Sequence, residues 1–195
     1  MNKILIIDAY NMIHRCRFTW GGGQITEFDK DLIFYNFVKT LRSELERHRS
    51  DKVYFVLDGK PGNRLDISSD YKGNRRVETT DPEIIAYWAY FRDQKNKVID
   101  FVKRCLPITT VFHPFYEADD LIYHLVVENK PSDITIVSSD TDFIQILNEY
   151  PNRVSLYNPV SKKYRENTEY DYVSWKAMVG DRADNIPGVH RVGDK

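Results

Sequence analysis

The sequence predicts an α/β fold in which a mostly parallel central sheet is flanked by helices, and three observations predict it. Short apolar and β-branched runs recur at residues 3–7, 53–57, 109–112, 134–138 and 154–157, each read as a strand. Longer stretches of helical periodicity lie between them, the alternation that builds a parallel sheet covered on both faces. Three of the runs end in aspartate: ILIID in Asp8, YFVLD in Asp58 and ITIVSSD in Asp140, with Asp142 two residues on.

The chain has 195 residues, 42% hydrophobic and 29% charged, enough for one or at most two domains with a sizeable core and inconsistent with disorder or a collagen-like repeat. Cys16 and Cys105 are too few for a disulfide scaffold and lack the spacing of a zinc site, so a reducing, intracellular setting is expected. The run KILIID meets a carboxylate after four apolar residues, too short for a signal peptide or a spanning helix, and no membrane partner is expected.

Taken in order, the first, second and fourth strands deliver Asp8, Asp58 and Asp140 to their C-terminal ends, which share one edge of an open parallel sheet, the edge where ligands bind. The third, TTVFHPF, leads into Tyr116-Glu117-Ala118-Asp119-Asp120-Leu121 and a helix running to about residue 129. Leu121, Leu125 and Val126 are expected to face its core side, and Glu117 and Asp120, three apart, share a face of the first turn. Asp81-Pro82 reads as an N-cap with proline in the first turn. It opens one or two amphipathic helices whose apolar residues Ile84, Ile85, Trp88, Phe91, Val98, Phe101 and Val102 are expected to be mostly core. Near the end, Gly180-Asp181-Arg182-Ala183-Asp184-Asn185-Ile186-Pro187-Gly188 spaces two aspartates three apart around a turn. Gly21-Gly22-Gly23 lacks the Lys-Ser/Thr of a phosphate loop and is read as a connection.

Nine carboxylates are therefore candidates for one site: Asp8, Asp58, Glu117, Asp119, Asp120, Asp140, Asp142, Asp181 and Asp184. Each has a plainer reading alone, as a turn former, a helix N-cap or a partner of a helix dipole. Gathered in one cleft they repel one another unless cations neutralise them, so they point to hard divalent metals, Mg²⁺ or Mn²⁺. Two such ions suit assisted hydrolysis of a phosphodiester, and no histidine is needed. The net charge of −1 hides a basic body: setting the nine acids aside leaves 28 bases against 20 acids, a balance of +8. Tyr71-Lys72-Gly73-Asn74-Arg75-Arg76, an aromatic followed by three bases, combines base stacking with phosphate contacts.

These residues resemble the blocks of the 5'-3' exonuclease and flap endonuclease family, which includes bacteriophage enzymes and the 5' nuclease region of bacterial DNA polymerase I. The resemblance runs in order through Asp8 in IIDAYN, Asp58-Gly59, the Tyr71–Arg75 block, Glu117-Ala118-Asp119-Asp120, Ser139-Asp140-Thr141-Asp142 and the GDRADNIPGV turn from Gly180. It implies a PIN-like 5' nuclease core over residues 1–170, with a helical arch at about 71–104, and a partial helix-hairpin-helix region over 171–195. It implies that Asp8, Asp58, Glu117, Asp119 and Asp120 serve one metal and Asp140, Asp142, Asp181 and Asp184 the other. Lys72 and Arg75 become catalytic contacts to the scissile phosphate, with Tyr71, Arg76, Gly188 and Gly193 as further DNA-binding positions. The hairpin of such proteins binds duplex phosphate, often with K⁺. Here Arg191-Val192-Gly193 replaces its usual Gly-Ile-Gly, and the chain stops at Lys195 before a second helix, as a truncated region would.

The function implied is structure-specific cleavage of DNA bearing a 5' single-stranded end or flap, or of RNA-DNA hybrids. The setting implied is replication or repair, by a monomer in the cytoplasm of a bacterium or phage-infected host. A PIN-like ribonuclease and a catalytically silent module that binds branched DNA are the alternatives.

Overall fold

The structure, a computed structural model, describes residues 2–18, 23–24, 30–60 and 79–192. A six-stranded sheet runs in the order β3-β2-β1-β4-β5-β6, with β1 Lys3–Asp8, β2 Lys52–Val56, β3 Thr109–Val111, β4 Asp133–Val137, β5 Val154–Asn158 and β6 Lys163–Tyr164. All neighbours are parallel except the short edge strand β6, which pairs antiparallel with β5. Six helices complete the described fold: α1 Ala9–Arg15, α2 Leu32–His48, α3 Pro82–Cys105, α4 Ala118–Glu128, α5 Ile144–Glu149 and α6 Tyr172–Val179.

Alternating side chains of the central strands feed two cores. Leu5, Ile7, Phe55 and Val137 face α1, α2 and α3 on one side, while Ile4, Ile6, Val56, Ile134 and Ile136 face α4 and α5 on the other. A strand covered on both faces must be apolar throughout, which is why β1 reads as an unbroken ILII run before its aspartate.

After β1 the chain winds outward to β2 and β3, then crosses to β4 on the opposite side. The strand order therefore reverses between β1 and β4, the place in an open α/β sheet where a crevice forms at the carboxyl edge. The register sets Asp8 level with Val56 of β2 and Ile7 level with Val137 of β4, so the loops after all three strands emerge together.

Asp81 caps α3 as expected, its carboxylate accepting from the Glu83 amide at 2.9 Å, with Pro82 in the first turn. One helix of 24 residues forms. Its buried stripe runs through Tyr87, Tyr90, Phe91, Gln94, Val98 and Val102. Ile85 and Trp88 fall off that stripe and Ile84 precedes it, so these three are 51%, 42% and 42% exposed instead of core. Gln94, fully buried, accepts from the Phe34 amide and donates to Asp31 at 2.6 Å, satisfying the start of α2 from a distant helix. On α4 the buried line is Ala118, Ile122 and Val126; Leu121 and Leu125, expected inside, are half-buried flanks of it. The first part of the expected arch lies outside the described residues, and no described helix is long and apolar enough to cross a membrane.

Phe37 is fully buried on α2 and meets Phe55 of β2 edge-on at 5.7 Å between ring centroids. Phe37→Ala removes a ring from a closed core, and a loss of about 3–5 kcal/mol is expected, read as a lowered denaturation midpoint at unchanged slope.

Candidate active site

The crevice at the strand reversal is a cleft of about 1280 Å³. Seven of the nine candidate acids line it: Asp8, Asp58, Asp119, Asp140, Asp142, Asp181 and Asp184, drawn from five separate segments. Glu117 and Asp120 do not line it. They form a reciprocal capping box at the start of α4, in which Asp120 accepts from the Glu117 amide at 3.1 Å and the Glu117 carboxylate accepts from the Asp120 amide.

The acids are held by the same hydrogen bonds that shape the loops. Asp8 ends β1 and caps α1, taking the Asn11 amide at 3.1 Å on one oxygen and the Ser138 hydroxyl at 2.9 Å on the other. Asp58 accepts from the Ala118 amide at 2.8 Å, tying the end of β2 to the start of α4. Behind it, Gly59 and Lys60 donate to the Tyr116 and Pro114 carbonyls, an extended backbone pairing and not a simple turn. A Cβ at Gly59 would lie 2.0 Å from the His113 carbonyl oxygen, so only glycine lets the two segments approach. Asp140 accepts from the Asp142 amide at 2.9 Å, and Ser138 accepts from the Asp140 amide. Neither aspartate caps α5, which begins at Ile144 with Phe143 in the N-cap position and no side-chain cap.

Two electrostatic neighbourhoods result. Burial pushes the Asp8 carboxyl up to about 7, opposed by the Asn11 and Ser138 hydrogen bonds and reinforced by the charges of Asp58 and Asp119. In the second, Lys176 of α6 donates to Asp142 and lies 2.9 Å from an oxygen of Asp181. Burial raises Asp142, aided by Asp140 and Asp181 and resisted by Lys176. Asp181 is held below the usual carboxylate range, because Lys176 and the amides of Ala183 and Asp184 outweigh its burial. Burial would lower the Lys176 ammonium, but its two carboxylate partners hold it well above its ordinary value.

Among the described residues, no three His, Cys, Asp or Glu side chains stand close enough as arranged to hold one metal ion. The donors nevertheless suit one: they are carboxylate oxygens on strand and helix ends, and the buried Asp8 sits beside two like charges that a hard cation would offset.

A profile of the family described as "5'-3' exonuclease, N-terminal resolvase-like domain" matches residues 3–178. The chain belongs to this family. Among curated relatives, DNA polymerase I of Streptococcus pneumoniae is 31% identical over 218 residues, covering 99% of this chain and 23% of that protein. A 5'-3' exonuclease of Buchnera aphidicola is 28% identical over 204 residues, covering 98% of this chain and 67% of its own length. The chain thus spans about a quarter of the length of the polymerases it matches. Among solved structures, the T5 D15 protein co-crystallised with metal ions superposes with a TM-score of 0.80 at 20% identity, covering 98% of this chain and 71% of that one. A bacteriophage T5 D15 flap endonuclease complex with DNA and metal ions gives 0.77 at 21% identity, with the same coverage. The fold is the PIN-like α/β fold expected.

Tyr71, Lys72, Arg75, Arg76 and Gly193 lie outside the described residues of this 5'-3' exonuclease family chain. Gly188 is described, and its missing side chain is accounted for by packing: a Cβ there would sit 2.1 Å from the Val179 carbonyl oxygen. Arg191, standing where the hairpin usually has its first glycine, has φ +66°, the left-handed backbone that favours glycine. Four residues that hold the site were not singled out for that task from the sequence. Asn11 exchanges hydrogen bonds with Ser139, Ser138 links Asp8 to Asp140, and Lys176 bridges two acids. Asn11 had a signal, standing three residues after an aspartate N-cap; Lys176 had none, because its partners are distant or across a turn.

The Asp8 shift has a definite sign. The unfolded carboxyl ionises near its ordinary 3.8 whereas the folded one keeps its proton to about 7, so this group's contribution to stability is full at low pH and is lost as pH rises between those values. In chelator, the melting temperature of the wild type is expected to fall from pH 5 to pH 7.5 more steeply than that of Asp8→Asn, measured by circular dichroism.

Proposed function

We propose that this chain is a structure-specific 5' nuclease, hydrolysing DNA phosphodiesters at 5' flaps and 5' ends with two divalent ions, Mg²⁺ or Mn²⁺, during replication or repair. The observation that carries the proposal is the convergence of carboxylates from five segments on one cleft at the strand reversal. Family membership and the fold shared with the T5 D15 flap endonuclease support it.

Asp8, Asp58 and Asp119 would hold one ion, with Glu117 and Asp120 fixing the start of the helix that carries Asp119. Asp140, Asp142, Asp181 and Asp184 would hold the other. The ions, when bound, supply Lewis-acid stabilisation of charge on the phosphate oxygens. Hydrolysis places the hydroxyl of water on phosphorus and its proton on the departing sugar oxygen, and the chain's own task is to orient these groups. Lys72 and Arg75 are proposed to contact the scissile phosphate and Tyr71 and Arg76 the strand leading to it. Gly188 and Gly193 are assigned to the duplex side of a hairpin that holds K⁺ where its second helix is present. The proposed substrates include RNA-DNA hybrids, and the proposed state is a monomer inside the cell.

A labelled 5'-flapped DNA with Mg²⁺ or Mn²⁺ tests the reading against its rivals. Cleavage of the flap in preference to single-stranded RNA is expected. Preference for RNA would identify a ribonuclease, and binding without cleavage a silent module. Asp58→Ala and Asp142→Ala are each expected to slow cleavage by about a thousandfold, the rate equivalent of losing several kcal/mol of charge stabilisation, with flap binding retained in gel-shift assays. Wild-type turnover by either variant would remove that residue from the site.

A further inference from the structure

Lys176 occupies an unusual position for a surface-facing helix residue. It sits in the last turn of α6, with its side chain 26% exposed, and its ammonium joins acids from two different elements: Asp142 beyond β4 and Asp181 beyond α6 itself. It lines both the main cleft and the smaller one beside it.

Both oxygens of Asp181 have partners. One oxygen of Asp181 accepts the amides of Ala183 at 2.8 Å and Asp184 at 3.3 Å, which shape the turn, and the other faces Lys176. The oxygen of Asp142 that Lys176 engages points toward the same ammonium, while Asp140 adds a third negative charge nearby. Two carboxylates brought together by separate loops repel unless a positive charge stands between them, and here a side-chain cation does.

We propose that Lys176 is a resident counter-cation, which competes with a divalent ion for Asp142 and Asp181 and so sets the affinity of the second metal. The inference rests on the two-ion reading above and goes beyond it by assigning the weaker of two metal affinities to a named lysine. Lys176 is a positioning residue in this account. Its ammonium holds the turn after α6 against the loop after β4, and a doubly charged ion replaces it by offering both carboxylates a stronger partner. Metal entry at this half of the cleft therefore requires the lysine to swing away, whereas entry at Asp8, Asp58 and Asp119 does not.

Mn²⁺ titration followed by electron paramagnetic resonance, which counts free ion, tests this without reference to cleavage. Wild-type protein is expected to show a tight and a weak class of ion, and Asp142→Asn to lose the weak one. Lys176→Met is expected to tighten the weak class by about tenfold, the effect of removing two competing ion pairs of ordinary strength, and to leave the tight class unchanged. In chelator Lys176→Met is expected to melt below wild type, with the gap closing at saturating Mn²⁺. Lys176→Gln serves for the same titration if the Met variant does not fold. Unchanged or weaker Mn²⁺ binding in the lysine variant overturns the proposal and leaves the two-ion reading standing. Absence of Mn²⁺ binding by wild type overturns both.

Discussion

Mutual repulsion among carboxylates at the carboxyl edge of the sheet is the constraint around which this protein is arranged. Parallel strands deliver their ends to one side, and three of them end in or lead directly to acids, so the charge is gathered by the topology itself. What makes it tolerable is local. The Asn11 and Ala118 amides, the Ser138 hydroxyl and the Asp142 amide each donate to an acid, and each donation also fixes a cap or a turn. The groups that define the loops are thus the groups that carry the charge, and neither can be altered without the other. A site built in this way is short of positive charge, which is the physical link between its construction and a polyanionic substrate met through cations.

The rest of the fold serves to hold that edge still. Two apolar cores clamp the sheet, and its central strand is buried on both faces, so the ends of β1, β2 and β4 keep their relative heights. The buried Gln94 extends this rigidity to α3 by engaging the first turn of α2. Beyond that clamp, the first turns of α3 present Ile84, Ile85 and Trp88 to solvent, and Arg17 lies over the Trp88 ring at 5.2 Å. The N-terminal turns of α3 thus carry an exposed apolar margin beside the buried stripe that begins at Tyr87 and continues to Val102.

Much of this was legible beforehand. The five main strands, the N-cap at Asp81, the helix after Glu117 and seven of the acids of the cleft follow from patterns confined to a few neighbouring residues. The misreadings share a cause. Ile84, Ile85 and Trp88 obey the helical period yet lie on or before the margin of the buried stripe, and Leu121 and Leu125 yield the centre of theirs to Ile122, because period alone does not say where a neighbouring surface ends. Glu117 and Asp120 share a face of the first turn, as expected, and each carboxylate there accepts from the other's amide.

By itself the sequence determined the alternation of strands and helices, the placement of acids at strand ends and the family to which those blocks belong, since each is encoded by residues adjacent along the chain. Only the tertiary structure decided which acids share a cleft and what stands between them. Asn11 with Ser139, Asp8 with Ser138, Asp58 with the Ala118 amide and Lys176 with Asp142 are contacts across 34 to 130 residues. Charge repulsion and its relief depend on distance in space, which the winding of the chain sets and separation along it does not.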